Sequence, residues 1–167
     1  PNSDEGKVEA LAAYGVADQN LLSMLKDTTY IDKEKLSIDF NFDKLRKFYD
    51  LNFLKAQRSI IGDVNFCAVV QDYLQDTIVE YLNFIFDKYQ INNLCLSGGV
   101  VANIIMSLNI HERTNFKNIY VLPPMGDDGL AIGSAILTAV NFKQDVSWLK
   151  NFTMPYFGDS YSRTEVK

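Results

Sequence analysis

The sequence predicts an α/β fold, a short sheet flanked by helices, and three observations carry that prediction. Asn93-Leu94-Cys95-Leu96-Ser97 and Asn118-Ile119-Tyr120-Val121-Leu122 are short apolar runs of strand type, stopped by Gly98-Gly99 and by Pro123-Pro124. Each run is followed by a helical pattern, about 100–112 and Ala131 to Val140. Alternation of this kind favours α/β layering. Ahead of them, residues 64–89 repeat apolar side chains at three- and four-residue steps, among them Phe66, Val69, Tyr73, Ile78, Leu82 and Ile85. Polar residues such as Gln71, Asp72 and Glu80 take the other face, which specifies an amphipathic helix. That spacing reads its aromatic stripe as core.

The remaining elements follow in chain order. Residues 4–14 read as a short helix capped by Asp4 or Ser3, with Val8, Leu11 and Ala12 as its apolar stripe and Gly15 as its stop. A second short helix lies near 18–27, with Leu21, Leu22 and Leu25. Leu36, Ile38 and Phe40 alternate with Ser37 and Asp39, as a half-buried strand does. Phe42 to Leu54 reads as one helix, and Gly62-Asp63 break the chain after it. From Asn141 the sequence is loop-like, and 151–167 is expected to be a linker toward a further domain.

Composition narrows the function classes. With 47% hydrophobic and 22% charged residues the chain is of globular type, long enough for one domain with a core. The net charge of −5 speaks against a dedicated nucleic-acid surface. No apolar run is long enough to cross a bilayer. Cys67 and Cys95 have no metal-type spacing and are expected to be two buried, reduced thiols, which suits a cytoplasmic protein. His111 is the single histidine, near a helix end, so a His-rich metal site or a Ser/His/Asp triad has no support.

Three turns could carry chemistry. In Leu96-Ser97-Gly98-Gly99-Val100-Val101-Ala102-Asn103, two glycines place backbone N–H groups at a helix start, where a nucleotide or phosphate is favoured. Asn103, about one turn into that helix, could reach a ribose or base. The competing reading is a tight turn with an ordinary helical Asn. The Gly-Lys-Ser/Thr ending of a P-loop is absent. In Pro123-Pro124-Met125-Gly126-Asp127-Asp128-Gly129 a carboxylate could ligate a cation that touches phosphates, or simply cap the next helix. The small residues Gly129, Ala131, Gly133, Ser134 and Ala135 make that helix thin, fit to pack closely or to leave room for a cofactor. In Asp4-Glu5-Gly6-Lys7, Lys7 could meet a phosphate and Glu5 a ribose hydroxyl, or the segment is a solvated helix end.

Taken together and in order, these segments resemble the O-carbamoyltransferase family of nodulation-factor and antibiotic type. The matching stretches are Glu5-Gly6-Lys7-Val8 with Leu11-Ala12-Ala13-Tyr14-Gly15, Leu96 to Val100 with Asn103, and Val121 to Gly129 with Gly133-Ser134-Ala135. Pro155 to Ser162 adds a fourth. The resemblance implies the second half of a domain of the actin/Hsp70/sugar-kinase (ASKHA) group, here residues 1–150, within a longer enzyme. It implies that a C-terminal domain makes carbamoyl adenylate from carbamoyl phosphate and ATP. The actin-like domain then transfers the carbamoyl group to an acceptor hydroxyl on a small molecule or glycan. A divalent metal, iron in the relatives, is implied, with Asp127 as its ligand from this half. Gly98, Gly99 and Asn103 are implied to line the nucleotide, with Glu5, Gly6 and Lys7 beside them. The family's paired metal-binding histidines have no counterpart and the adenylate-forming domain is missing, so the chain alone is expected to be inactive; as half of a domain it is expected to dimerise or aggregate through exposed apolar surface. Two other readings stand beside this one. The first is a tRNA threonylcarbamoyl transferase relative, and the second is a non-catalytic module whose helix 64–89 packs on a partner.

Overall fold

The computed structural model describes residues 4–151, 161, 162, 164 and 165. Ser3 and most of 151–167, with the Pro155-to-Ser162 stretch up to Ser160, lie outside these residues, and so does any view of the expected linker. Among the described residues there are seven α-helices and four strands, and α1 (Glu5–Ala12), α2 (Gln19–Lys26), α4 (Leu51–Ile61) and α6 (Ile104–Arg113) pack on α5, Asp63–Tyr89, the 27-residue amphipathic helix. Helix α1 lies along it, and α2 packs beside its N-terminal half. Leu21, Leu22, Ala68 and Val69 are buried there in one core cluster. The C-terminal half of α5 forms the second cluster with α6, Ile104–Arg113, where Leu82, Met106, Ile110 and Phe116 are buried. Most of the stripe on α5 therefore packs into this chain's own two cores.

Two small sheets complete the fold. Strands β1, Thr29–Asp32, and β2, Ser37–Phe40, form an antiparallel hairpin. The sequence pattern points to β2 alone, because Thr29–Asp32 has no long apolar alternation. Strands β3, Asn93–Leu96, and β4, Asn118–Val121, pair in parallel, with Leu94 opposite Ile119 and Cys95 opposite Tyr120. The period-two alternation sends Leu94, Leu96 and Ile119 into the second core. It sends Cys95 and Tyr120 to the other face, which is exposed. Cys95 is thus an exposed thiol, contrary to expectation, while Cys67 is buried, and both are free.

Several boundaries differ from expectation for local reasons. The stretch 42–54 is not one helix: α3, Phe42–Leu45, runs into a 3-10 turn, Arg46–Tyr49, and the chain restarts as α4, Leu51–Ile61. The restart comes at Asp50, whose carboxylate accepts from Asn52 N at 2.8 Å, a cap that sequence periodicity cannot see. Helix α1 has Asp4 at its N-cap position, but the carboxylate makes no capping bond and pairs with Lys7 instead, at 2.6 Å. Gly15 does not end α1. It permits close approach, since a Cβ there would stand 2.3 Å from the Val64 carbonyl oxygen on α5. Helix α7, Gly129–Asn141, carries no charged side chain, yet none of its residues is buried.

Candidate functional site

The two glycine turns after β3 and β4 are fastened to each other. Gly98 adopts φ +107°, a conformation natural only to glycine, and its N–H donates to the Met125 carbonyl at 2.7 Å. Gly99–Ala102 then makes a 3-10 turn, and α6 starts four residues later than the sequence pattern suggests. Asn103 is therefore not inside the helix. It is the N-cap, with Oδ1 accepting from Met106 N at 2.8 Å. Its side chain also exchanges two hydrogen bonds with buried Gln71 of α5. Asn103 Nδ2 donates to Gln71 Oε1 at 2.8 Å, and Gln71 Nε2 donates to Asn103 Oδ1 at 3.1 Å.

The α6 N-terminus, expected to attract a phosphate, is already answered by protein. Glu9 Oε1 of α1 accepts from Ile104 N at 2.8 Å and from Ile105 N at 3.4 Å. A carboxylate satisfies orphan helix N–H groups and the positive end of the dipole as an anion would. Glu9 and Gln71 are the residues that sequence reasoning missed. Their one signal is that each is polar on a face turned toward another helix.

Between α1 and these turns lies an open cleft of about 770 Å³. Glu5, Gly6 and Glu9 line it from α1, Gly99 and Asn103 from the first turn and its cap, and Asp127 from the second turn. Five of the residues singled out in sequence, drawn from three distant stretches, thus face one space. Two others do not line it. Gly98 is held in the turn-to-turn bond, and Lys7 is turned to Asp4, with both side chains largely exposed. Asp128 also lies outside the lining.

The electrostatics of the cleft are one-sided. Glu5, Glu9 and Asp127 are acidic, and among the described residues no Lys or Arg lines it. A bare polyphosphate would be repelled, whereas ribose hydroxyls, or a phosphate accompanied by a cation, are compatible. Neither Asp of the second turn caps α7 through its side chain, and the Asp127 carboxylate makes no hydrogen bond among the described residues. Asp127 is thus available as a ligand. It is not enough alone: among the described residues no three His, Cys, Asp or Glu side chains converge as a metal site requires. Gly129 is fixed by sterics, as a Cβ there would lie 2.4 Å from the Pro124 carbonyl oxygen.

A separate apolar cleft of about 580 Å³ opens between Tyr120 and Leu122 of the β4 side and Ile132, Ile136 and Ala139 of α7. The thin α7 helix forms a wall of this cleft.

Residues 1–136 match the family model described as Carbamoyltransferase N-terminus. The chain belongs to this carbamoyltransferase family. The chain is 51% identical over 167 residues to an uncharacterized protein of Methanocaldococcus jannaschii, covering 100% of this chain and 27% of that protein. An uncharacterized protein of Synechocystis is 27% identical over 186 residues, with 99% of this chain and 29% of that one covered. A further uncharacterized M. jannaschii protein is 29% identical over 139 residues, with 81% and 26% covered. The chain spans about a quarter to three tenths of the length of these relatives. No helix among the described residues is long and apolar enough to cross a membrane.

Proposed function

We propose that this chain is the nucleotide-holding part of a longer O-carbamoyltransferase. The observation that carries this reading is the cleft, where Glu5, Gly6, Gly99, Asn103 and Asp127 of a carbamoyltransferase-family chain face one another. In the proposed reaction a carbamoyl group passes from carbamoyl adenylate, made elsewhere in the enzyme from carbamoyl phosphate and ATP, to an acceptor hydroxyl. The acidic lining favours an arrangement in which ribose hydroxyls donate to Glu5 and the phosphate side lies toward Asp127. A divalent metal there, iron by resemblance, would be held by Asp127 together with ligands from outside the chain, and would supply charge to the phosphate side. Asp127 is preferred to Asp128 because only the former lines the cleft. The fold is proposed to be half of an actin-like domain, and the uncovered apolar faces of α7 and of the β3–β4 sheet are proposed to meet the rest of the enzyme. A cytoplasmic location goes with this reading and with the exposed, unpaired Cys95 thiol.

The test is pyrophosphate release from ATP by the full-length protein, with and without carbamoyl phosphate. Release that depends on carbamoyl phosphate is expected. Release that requires threonine and bicarbonate would move the protein to the tRNA-modifying branch, and no release under either condition would leave a non-catalytic module. Metal analysis of the same protein tests the ligand: Asp127→Ala is expected to lose iron and Asp128→Ala to retain it.

A further inference from the structure

The start of α6 stands at the cleft with its backbone donors already satisfied. Glu9 Oε1 accepts from Ile104 N at 2.8 Å and from Ile105 N at 3.4 Å, and Asn103 Oδ1 accepts from Met106 N at 2.8 Å. Ser107 N donates to the Asn103 carbonyl at 3.0 Å, so the whole first turn is answered by protein. In the preceding turn, Gly98 N donates to Met125 O and Val101 N to Gly98 O. Between them, Gly99 N and Val100 N meet no acceptor among the described residues, and both residues line the cleft. Two neighbouring N–H groups can hold one ionised oxygen, and they are too few for a polyphosphate.

Glu9 does more than close the end of α6. Its Oε2 accepts no hydrogen bond among the described residues, and no salt bridge among them neutralises it. The residue is only half-buried on the cleft wall. In the proposed reaction Glu5 accepts from a ribose and Asp127 holds a cation. Glu9 has no such counterpart in the ligand, so its charge acts unopposed on a phosphate lying at the Gly99 turn.

Resting on the carbamoyl-transfer reading, we propose that Glu9 is a specificity-determining residue of the cleft, which admits an adenylate whose phosphate bears a single charge and turns away nucleotides that bear more. A phosphate monoester such as AMP carries about −1.5 to −2 at neutral pH. The phosphate of a mixed anhydride or a diester has one ionised oxygen, and ATP carries more charge than either. Glu9 thereby keeps the ATP of the adenylate-forming step out of the transfer cleft, and it loosens AMP once the carbamoyl group has passed on. Selection of this kind works by repelling the wrong ligand and asks for no new contact with the right one.

The test is calorimetric titration of the full-length protein with AMP and with the methyl ester of AMP, a diester of one charge. The ester is expected to bind the unaltered protein more tightly than AMP. Glu9→Gln keeps an acceptor for Ile104 N and removes the charge. It is expected to tighten AMP about tenfold, the scale of one like-charge contact near a protein surface, and the ester by less, so that the preference shrinks. A role confined to holding α6 would instead weaken both ligands together. Raised salt is expected to favour AMP in the unaltered protein and to do so less in Glu9→Gln. Gly6→Leu, where a side chain enters open space on the cleft wall, is expected to abolish ester binding. An ester that fails to bind, or that binds regardless of Gly6→Leu, overturns the nucleotide reading of the cleft and the selection with it. Ester binding that Gly6→Leu removes, with a preference for AMP or one for the ester that Glu9→Gln leaves unchanged, overturns the selection alone.

Discussion

Glu9 serves two structures at once, because the oxygen that holds α6 also closes one side of the cleft. Removing it in Glu9→Ala takes away a helix cap supplied across 95 residues of sequence, and a loss of about 1 kcal/mol is expected in urea unfolding. Glu9→Gln keeps an acceptor and is expected to lose less. Asn103→Ala should cost more, about 2 kcal/mol, since it removes the Met106 cap and leaves buried Gln71 without its partner. Asp72 and Asp76 make opposite contributions with pH. Burial acts to raise Asp76, but Lys26 and Arg113 outweigh it and leave its carboxyl below the usual range. That stability is present above the unfolded pKa and disappears as acid titrates the folded carboxylate. Asp72 is shifted up, so stability is lost as the pH rises from its unfolded pKa through its folded one. Asp72→Asn is therefore expected to stabilise the fold at neutral pH, with the gain vanishing below about pH 4, where the unfolded carboxyl is also protonated. Thermal melts at pH 7 and pH 3 read both effects. At this scale the sequence disclosed which residue types could bind a nucleotide. It did not disclose that Asn103 and Glu9 are already committed to α6, since partners 32 and 95 residues apart leave no local pattern.

Among the elements, α5 dominates because it enters both cores, and its long three-and-four spacing made it plain in the sequence. The parallel pair β3–β4 was legible from apolar runs bounded by Gly and Pro. The hairpin partner β1 and the broken helix over 42–61 were not, because their limits depend on pairing with β2 and on the Asp50 cap. The packing of α1 on α5 rests on a missing side chain. Gly15→Ala would drive a Cβ against the Val64 carbonyl, and a loss of about 1 to 3 kcal/mol is expected from the forced separation of the helices. In the second core Ile110 is fully buried, and Ile110→Ala is expected to cost about 2 to 5 kcal/mol in the same unfolding assay.

Taken whole, the chain is unevenly covered. Its core side of the sheet is packed, while Tyr120, Leu130, Leu137 and Val140 remain about half exposed or more. Parallel strands are ordinarily buried on both faces. The 167-residue chain is expected to self-associate with rising concentration in light scattering, and Leu137→Lys to reduce that association. A strictly monomeric chain would show that these faces need no cover. Composition could not reveal this imbalance, because an apolar helix reads the same whether its neighbour is present or absent.

The cleft also has a history within each molecule. Its walls come from residues 5–9, 74, 99–103 and 127, so its first wall meets partners far away in the sequence. Such loops close late, after the helical hairpins whose contacts are local. During refolding, far-ultraviolet dichroism should recover before the protection of the Ile104 amide that Glu9 caps. A chain emerging from the ribosome would hold α1 in waiting until the turn at Asp127 has been made.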